Sequence, residues 1–387
     1  GKNIFEFVKP YEKAFFGNLS KLNVRPADTY PKATENVKEM IKIIESLIKK
    51  GLAYKAENSI YFDVSKFKKY GRLSGVKTSE LKSGARVNTD EYTKNEAEDF
   101  VLWKGKKEGE PFWPAPFGEG RPGWHIECSA MSMKYLGNAF DSFGNLRVNG
   151  EHSRTIDIHA GGVDLIFPHH ANEIAQSEGS TGKQFVKYFI EGEHLLVNNK
   201  KMSKSLGNFY KLRDIEKRNI DPLAFRYLIL TAHYRSKLNF TWKSLEAAQN
   251  ALYKLRKSVT GIRPLLGKTG VGSLLGKKSF EEKFKKYINN DLDMPRALAL
   301  LWNIIKSQKL DDKTKYGLII DFDKVFGLNL ADVKTEKTPT EIFKLSKERE
   351  KYRQENNFKK ADELRKKIES LGWTVEDTSH GPIIKKK

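Results

Sequence analysis

The residues most suited to chemistry in this chain are Lys201-Met202-Ser203-Lys204-Ser205, followed by Leu206-Gly207-Asn208. Lys201 and Lys204 stand three apart, with the hydroxyls of Ser203 and Ser205 beside them. A lysine ammonium is a mobile point charge, so such a loop suits closure on a polyphosphate. It lowers a barrier by neutralising charge that builds on a leaving pyrophosphate. An exposed basic turn would also explain two lysines, but not this whole string in this order. A second constellation is Cys128, His169 and Glu173. His169 and Glu173 are four apart and share a helix face. Thiolate, imidazole and carboxylate are all zinc-ligand types. Spacing leaves other readings open: a buried thiol beside a helix-surface pair, or His170 as the ligand in place of His169. Third, Ile158-His159-Ala160-Gly161-Gly162-Val163-Asp164 puts paired glycines after a strand-like run. That allows close approach of a nucleotide, with Asp164 near ribose hydroxyls. Taken alone, a glycine turn with a helix-capping aspartate is the more common explanation. Trp113, Phe117 and Phe167 read as core; Trp124-His125 stands out because Cys128 follows so closely.

The chain that must position these groups has 387 residues, 39% hydrophobic and 31% charged. That composition can bury a core and is not that of a disordered chain. Lysine and arginine number 70 against 49 acidic residues, a net charge of +21. Such an excess suits an anionic partner such as nucleic acid, or else a solvated lysine-rich surface; charge alone does not choose. No run of about 18 apolar residues is present, so no bilayer-spanning helix and no membrane partner is expected. Gly1–Glu6 shows no signal-peptide core. Cys128 is the single cysteine, which excludes an internal disulfide and fits a reducing, cytoplasmic setting.

Apolar spacing predicts a helix over 33–50, with Val37, Met40, Ile41, Ile44, Leu47 and Ile48 as its stripe and Gly51 after its end. Ser59–Val64 alternates as a strand, and 109–123 is too rich in proline and glycine for a regular element. Helical spacing resumes at Trp124–Leu136. A strand near Ile156, a helix from His169 and a strand over Phe185–Val197 imply a parallel α/β sheet. Beyond 211 the sequence predicts helices at Pro222–Leu230, Leu245–Leu255, Phe284–Ile305 and Lys315–Phe326 without intervening strands. Glycines at 261, 267, 270, 272 and 276 mark a flexible connection. One more helix carries Phe358, Ala361, Leu364, Ile368 and Leu371, with short strands at Trp373–Val375 and Pro382–Ile384.

These strings together resemble cysteinyl-tRNA synthetase, a class I aminoacyl-tRNA synthetase, from about Phe15 to Pro382. The resemblance rests on Gly120-Arg121-Pro122-Gly123-Trp124-His125-Ile126-Glu127-Cys128-Ser129-Ala130-Met131, on Asp157 through Glu173, and on the Lys201–Asn208 loop. It implies a Rossmann-like parallel catalytic domain over 1–210, incomplete at its N-terminus. A stem-contact region over 211–240, a helical anticodon-side bundle over 241–335 and a small C-terminal domain over 336–387 would follow. It implies zinc held by Cys128, His169 and Glu173, gripping the thiolate of the substrate cysteine; a soft thiolate is told from a hydroxyl far better by zinc than by an apolar pocket. Trp124 and His159 match substrate-pocket positions. Gly161, Gly162 and Asp164, with Lys201, Ser203, Lys204 and Ser205, match ATP-binding segments, and Lys201 and Lys204 carry catalysis. The implied partners are L-cysteine, ATP with magnesium, and the cysteine tRNA. Cysteine's carboxylate attacks the α-phosphate, and the terminal adenosine of the tRNA takes the acyl group, through positioning and charge neutralisation.

The resemblance has departures. No His-x-Gly-His-type signature occurs, and a further zinc-ligand cysteine of the family has no counterpart. The expectation is a fragment lacking the front of its nucleotide-binding fold, inactive in ATP–pyrophosphate exchange alone and weakened in zinc binding. Ala160 stands where the family usually has glycine, Ser142–Thr155 reads as an inserted polar loop, and Glu191-Gly192-Glu193 replaces a more neutral segment. Two other functions fit parts of the pattern: a non-catalytic RNA-binding paralogue, and a ligase joining cysteine to a small-molecule amine.

Overall fold

The computed structural model describes residues 4–75, 86–87, 99–147, 153–262, 274–331, 340–378 and 381–386. The expected glycines 267, 270 and 272, and the middle of the 142–155 loop, lie outside them. Helix α1 (Ile4–Lys21) leads into α2 (Val37–Lys49). The stripe expected for 33–50 buries Val37, Met40, Ile44 and Leu47, with Ile43 in place of the exposed Ile48. Residues 33–35 form a separate short turn. Gly51 follows the helix at φ 71°, the left-handed conformation that closes it.

Strands β1 (Ala53–Ala56), β2 (Ser59–Phe62), β3 (Arg86–Val87), β4 (Asp99–Gly105) and β5 (Gly120–Pro122) form one sheet. Only the β3–β4 pair is parallel; the other pairings are antiparallel. The stretch expected as loop thus contributes β5, whose register with β4 pairs Trp103 with Pro122. After α3 (Trp124–Tyr135) comes the parallel unit: β6 (Ile156–Gly162), α4 (Ala171–Thr181) and β7 (Val186–Gly192). β6 and β7 pair from Ile156↔Val186 to Gly162↔Gly192. The run expected as one strand over 185–197 is two, since Glu193–His194 separates β7 from β8 (Leu195–Val197). One buried cluster joins α2, β2, β4, α3, α4 and β7.

β9 (Lys200–Lys201), α5 (Leu212–Glu216), α6 (Pro222–Leu230) and β10 (Leu238–Phe240) lead to α7 (Trp242–Ile262). β10 corrects the expectation of no strand between the helices beyond 211: it pairs in parallel with β8, and three residues are too few to show alternation. The single helix expected over 284–305 is two, α8 (Leu274–Ile288) and α9 (Met294–Lys306). Asp291 and Leu292 take positive φ of 53° and 54°, and Asp293 caps α9 through Arg296 N–H. With α10 (Asp312–Phe326), these helices and β8 share a second core, where Phe284 stacks on Phe322 at 3.9 Å. The last section holds two helices rather than one: α11 (Thr340–Gln354) precedes α12 (Phe358–Ser370) and the antiparallel pair β11 (Trp373–Thr378) and β12 (Gly381–Lys386). α11 is mostly polar, so it has little stripe to read. Among the described residues no helix is long and apolar enough to cross a membrane.

Candidate active site

Helix α3 begins where the chain lies directly on β4. A Cβ on Gly123 would stand 2.5 Å from the Val101 carbonyl oxygen, so only glycine fits at this helix start. One turn of α3 separates Trp124 from Cys128, which puts them on one face. The next positions, His125 and Ser129, are buried against α4. Ser129 Oγ donates to Gln176 Oε1 at 2.6 Å, and His125 Nδ1 meets His169 Nδ1 at 2.9 Å. Tyr70 Oη donates to Asn172 Oδ1 at 2.6 Å, fixing α4 from another side.

This packing brings Cys128, His169 and Glu173 together, with ligand atoms within 4.8 Å of one another. Glu173 is fully buried. His169 Nε2 stands 3.2 Å from its Oε1, and His159 Nε2 stands 2.9 Å from its Oε2. Neither carboxylate oxygen receives a well-formed hydrogen bond. Burial alone would raise the Glu173 carboxyl, but the His159 and His169 imidazoles outweigh it and hold it down to about 2. Burial, reinforced by the charges of Glu173 and Glu127, pushes the Cys128 thiol up to about 12. The site is thus a buried carboxylate aimed at a sulfur and two imidazoles, a donor set that fits a borderline-soft divalent cation. For His169 Nε2 to act as a ligand, the ring proton must sit on Nδ1, where it donates to His125 Nδ1.

His170, an equal ligand candidate by spacing, belongs to a second convergent set with His159 and Glu173. That set has no sulfur, and His170 Nδ1 is engaged by Glu191 Oε1 at 2.7 Å. The Trp124 ring packs 4.7 Å from that of His169 and is 40% exposed, so it borders the cluster on its open side. Gly161 and Gly162 end β6 beside the cluster, and a Cβ on Gly161 would meet His170 Cε1 at 2.6 Å. Asp164 follows on an exposed turn closed by Leu165 N–H to Gly162 O at 2.8 Å.

The lysine loop is braced from within. Asn208 Oδ1 accepts from Ser203 N–H at 2.8 Å, and Asn208 Nδ2 donates to Lys201 O at 3.0 Å. Ser203 and Ser205 hydroxyls meet at 2.6 Å. Lys201 pairs with Leu196 in the ladder of β8 and β9, whereas Lys204 lies beyond it, exposed. Sequence reasoning missed the bracing role of His125 and the pairing of Glu191; both act through partners 44 and 21 residues away, which local patterns do not encode. A separate cleft of about 880 Å³ between 16–30 and 320–329 contains none of these residues.

Residues 1–250 match the family described as tRNA synthetases class I (C) catalytic domain. The chain is 41% identical over 397 residues to a cysteine–tRNA ligase of Chlamydia felis, covering 98% of this chain and 80% of that one. It is 39% identical over 403 residues to a cysteine–tRNA ligase of Leptospira interrogans, covering 100% of this chain and 82% of the relative. In fold it is similar to Mycobacterium tuberculosis methionyl-tRNA synthetase in complex with methionyl-adenylate, at TM-score 0.55 and 13% identity, over 86% of this chain and 78% of that one. Its parallel β6–α4–β7 unit, its lysine loop and its match over 1–250 make the chain a member of the class I tRNA synthetase (C) family.

Proposed function

We propose that the chain is a cysteine–tRNA ligase, which activates cysteine with ATP and magnesium and transfers it to the cysteine tRNA. The carrying observation is the convergence of Cys128, His169 and Glu173 on one point beside Trp124. A zinc ion held by these three would supply a soft Lewis-acid position that takes a thiolate and discriminates against a hydroxyl. Glu173, already ionised, supplies the fixed negative charge, and His125 holds the His169 proton on Nδ1. Trp124 walls the side-chain pocket. Gly161 and Gly162 admit the nucleotide to the carboxyl ends of β6 and β7, with Asp164 at the ribose. Lys201 and Lys204 face the phosphates and offset charge on the departing pyrophosphate; the nucleophile is the substrate's own carboxylate.

The test is binding of amino acid to the chain with and without zinc. Cysteine should bind only to the zinc-loaded chain, and serine at least about a thousandfold more weakly. Equal cysteine binding after zinc removal would contradict the assignment.

Asn208 gives a second expectation. Its side chain joins Ser203 to Lys201 across the loop, so Asn208→Ala removes both braces. Loop closure then costs more entropy, and in the chain extended by a His-x-Gly-His-type front section the rate of cysteine-dependent ATP–pyrophosphate exchange should fall about tenfold. Cysteine affinity, measured separately on the same variant, should stay unchanged because the loop does not touch the zinc ligands.

A further inference from the structure

Glu191 lies at the carboxyl end of β7, in register with Gly161 of β6. In parallel α/β sheets this is the end at which ligands bind. Its side chain is 11% exposed, and Oε1 accepts from His170 Nδ1 at 2.7 Å. Oε2 is buried and accepts no hydrogen bond from any described residue. An ionised carboxylate offers about four acceptor positions, and a buried acceptor left unpaired is costly enough that native structures supply a partner. The neighbouring positions do not supply it. Gly161 opposite and Gly192 next in the chain bring backbone without a side chain, and His159 Nε2 is turned to Glu173 at 2.9 Å.

We infer that Glu191 is a substrate-positioning residue whose Oε2 accepts an N–H from a bound substrate, either the α-ammonium of the amino acid or the exocyclic amine of adenine. This rests on the function proposed above. The anionic groups of the substrates are excluded by charge, and a ribose hydroxyl is told apart by the amine-free analogues below. The carboxylate of the amino acid and the phosphates of ATP are anions, and a buried anion repels them. Glu191 therefore also sets polarity: a nitrogen-bearing end faces β7, and the anionic ends face away from it. His170 backs this carboxylate, its ring packed so near Gly161 that a Cβ there would meet Cε1 at 2.6 Å.

The experiment measures equilibrium binding of cysteine and of magnesium–ATP, separately, to the zinc-loaded chain and to Glu191→Gln. Glutamine keeps the His170 contact but turns an N–H toward the place where Oε2 accepted. One of the two affinities should fall roughly ten- to a hundredfold while the other stays within about twofold. Loss on the cysteine side identifies the ammonium, and 3-mercaptopropionate, which lacks it, should then be indifferent to the change. Loss on the ATP side identifies the adenine amine, and purine riboside triphosphate should be indifferent. Zinc content and thermal unfolding should match the parent. If the glutamine variant does not fold, Glu191→Asp keeps the charge but shortens its reach and should weaken the same ligand. Both affinities unchanged, or an equal loss for the amine-free analogue, overturns the inference. A parent chain that binds zinc but neither ligand overturns the proposed function, and this inference with it.

Discussion

Cys128→Ser is expected to lower zinc affinity by about a hundredfold or more, since even loss of a residue that merely orients a ligand costs ten- to a hundredfold. The exchange removes one sulfur and leaves the packing of α3 nearly intact. A serine hydroxyl does not ionise at neutral pH, so it offers zinc a weak neutral oxygen in place of a thiolate. The pH dependence follows from the same residues. Without metal the thiol is held at about 12 and the Glu173 carboxyl at about 2. At neutral pH, therefore, Cys128 carries its proton and Glu173 does not. Loading must expel the Cys128 proton but none from Glu173, so zinc binding strengthens as pH rises. The contribution of Cys128 is about tenfold per pH unit, one proton released per ion bound. Competition with a chelator across pH 6 to 8 should give a slope one proton steeper for the parent than for Cys128→Ser. Selectivity should change together with affinity: the serine variant, forced to load at high zinc, should discriminate less well between cysteine and serine. Equal zinc affinity and equal slopes in the two proteins would remove Cys128 from the metal site.

The parts of this site that sequence reveals are those whose partners are near in the chain. His169 and Glu173 are one helical turn apart, so their shared face is visible from spacing, and the short helical turn Ile166–His170 running into α4 delivers it. The stripe of α2 and the stop at Gly51 are equally local, as are the proline start and exact span of α6. What stays hidden depends on distant contacts. Nothing near Glu191 announces that its carboxylate faces His170, and His125 reads as one more helix residue until the turn before α4 brings His169 to it. The break between α8 and α9 was concealed by apolar spacing that continues through Leu292, although Leu292 sits in the turn with φ of 54°. The largely antiparallel sheet of β1 to β5 was invisible for another reason: its strands are short, and β4 is buried along most of its length, so it shows no alternation.

Lys204→Ala, made in the chain extended by a His-x-Gly-His-type front section, should reduce turnover in cysteine-dependent ATP–pyrophosphate exchange by about a hundred- to a thousandfold, the typical cost of removing one group that stabilises transition-state charge. The structure argues that this loss is catalytic and not structural. Lys204 is exposed in the turn after β9, with its ammonium 5.8 Å from the Phe209 ring. Truncating such a side chain changes stability by no more than about 0.5 kcal/mol. The loop's own bracing through Asn208 does not involve the Lys204 side chain, so loop shape should survive. Lys201 differs because its backbone is paired in the β8–β9 ladder, which restricts how far its ammonium can travel. Lys201→Ala is therefore expected to cost less than Lys204→Ala. Lys204→Arg retains the charge but replaces a point charge with a planar fork, and should recover only part of the rate. In steady-state exchange on that extended chain, kcat should carry the loss in Lys204→Ala while KM for cysteine stays within about twofold, because the ammonium acts on charge that develops only as pyrophosphate leaves. A loss seen mainly in KM for cysteine, with kcat intact, would place Lys204 in ground-state binding and refute its assignment to the leaving group.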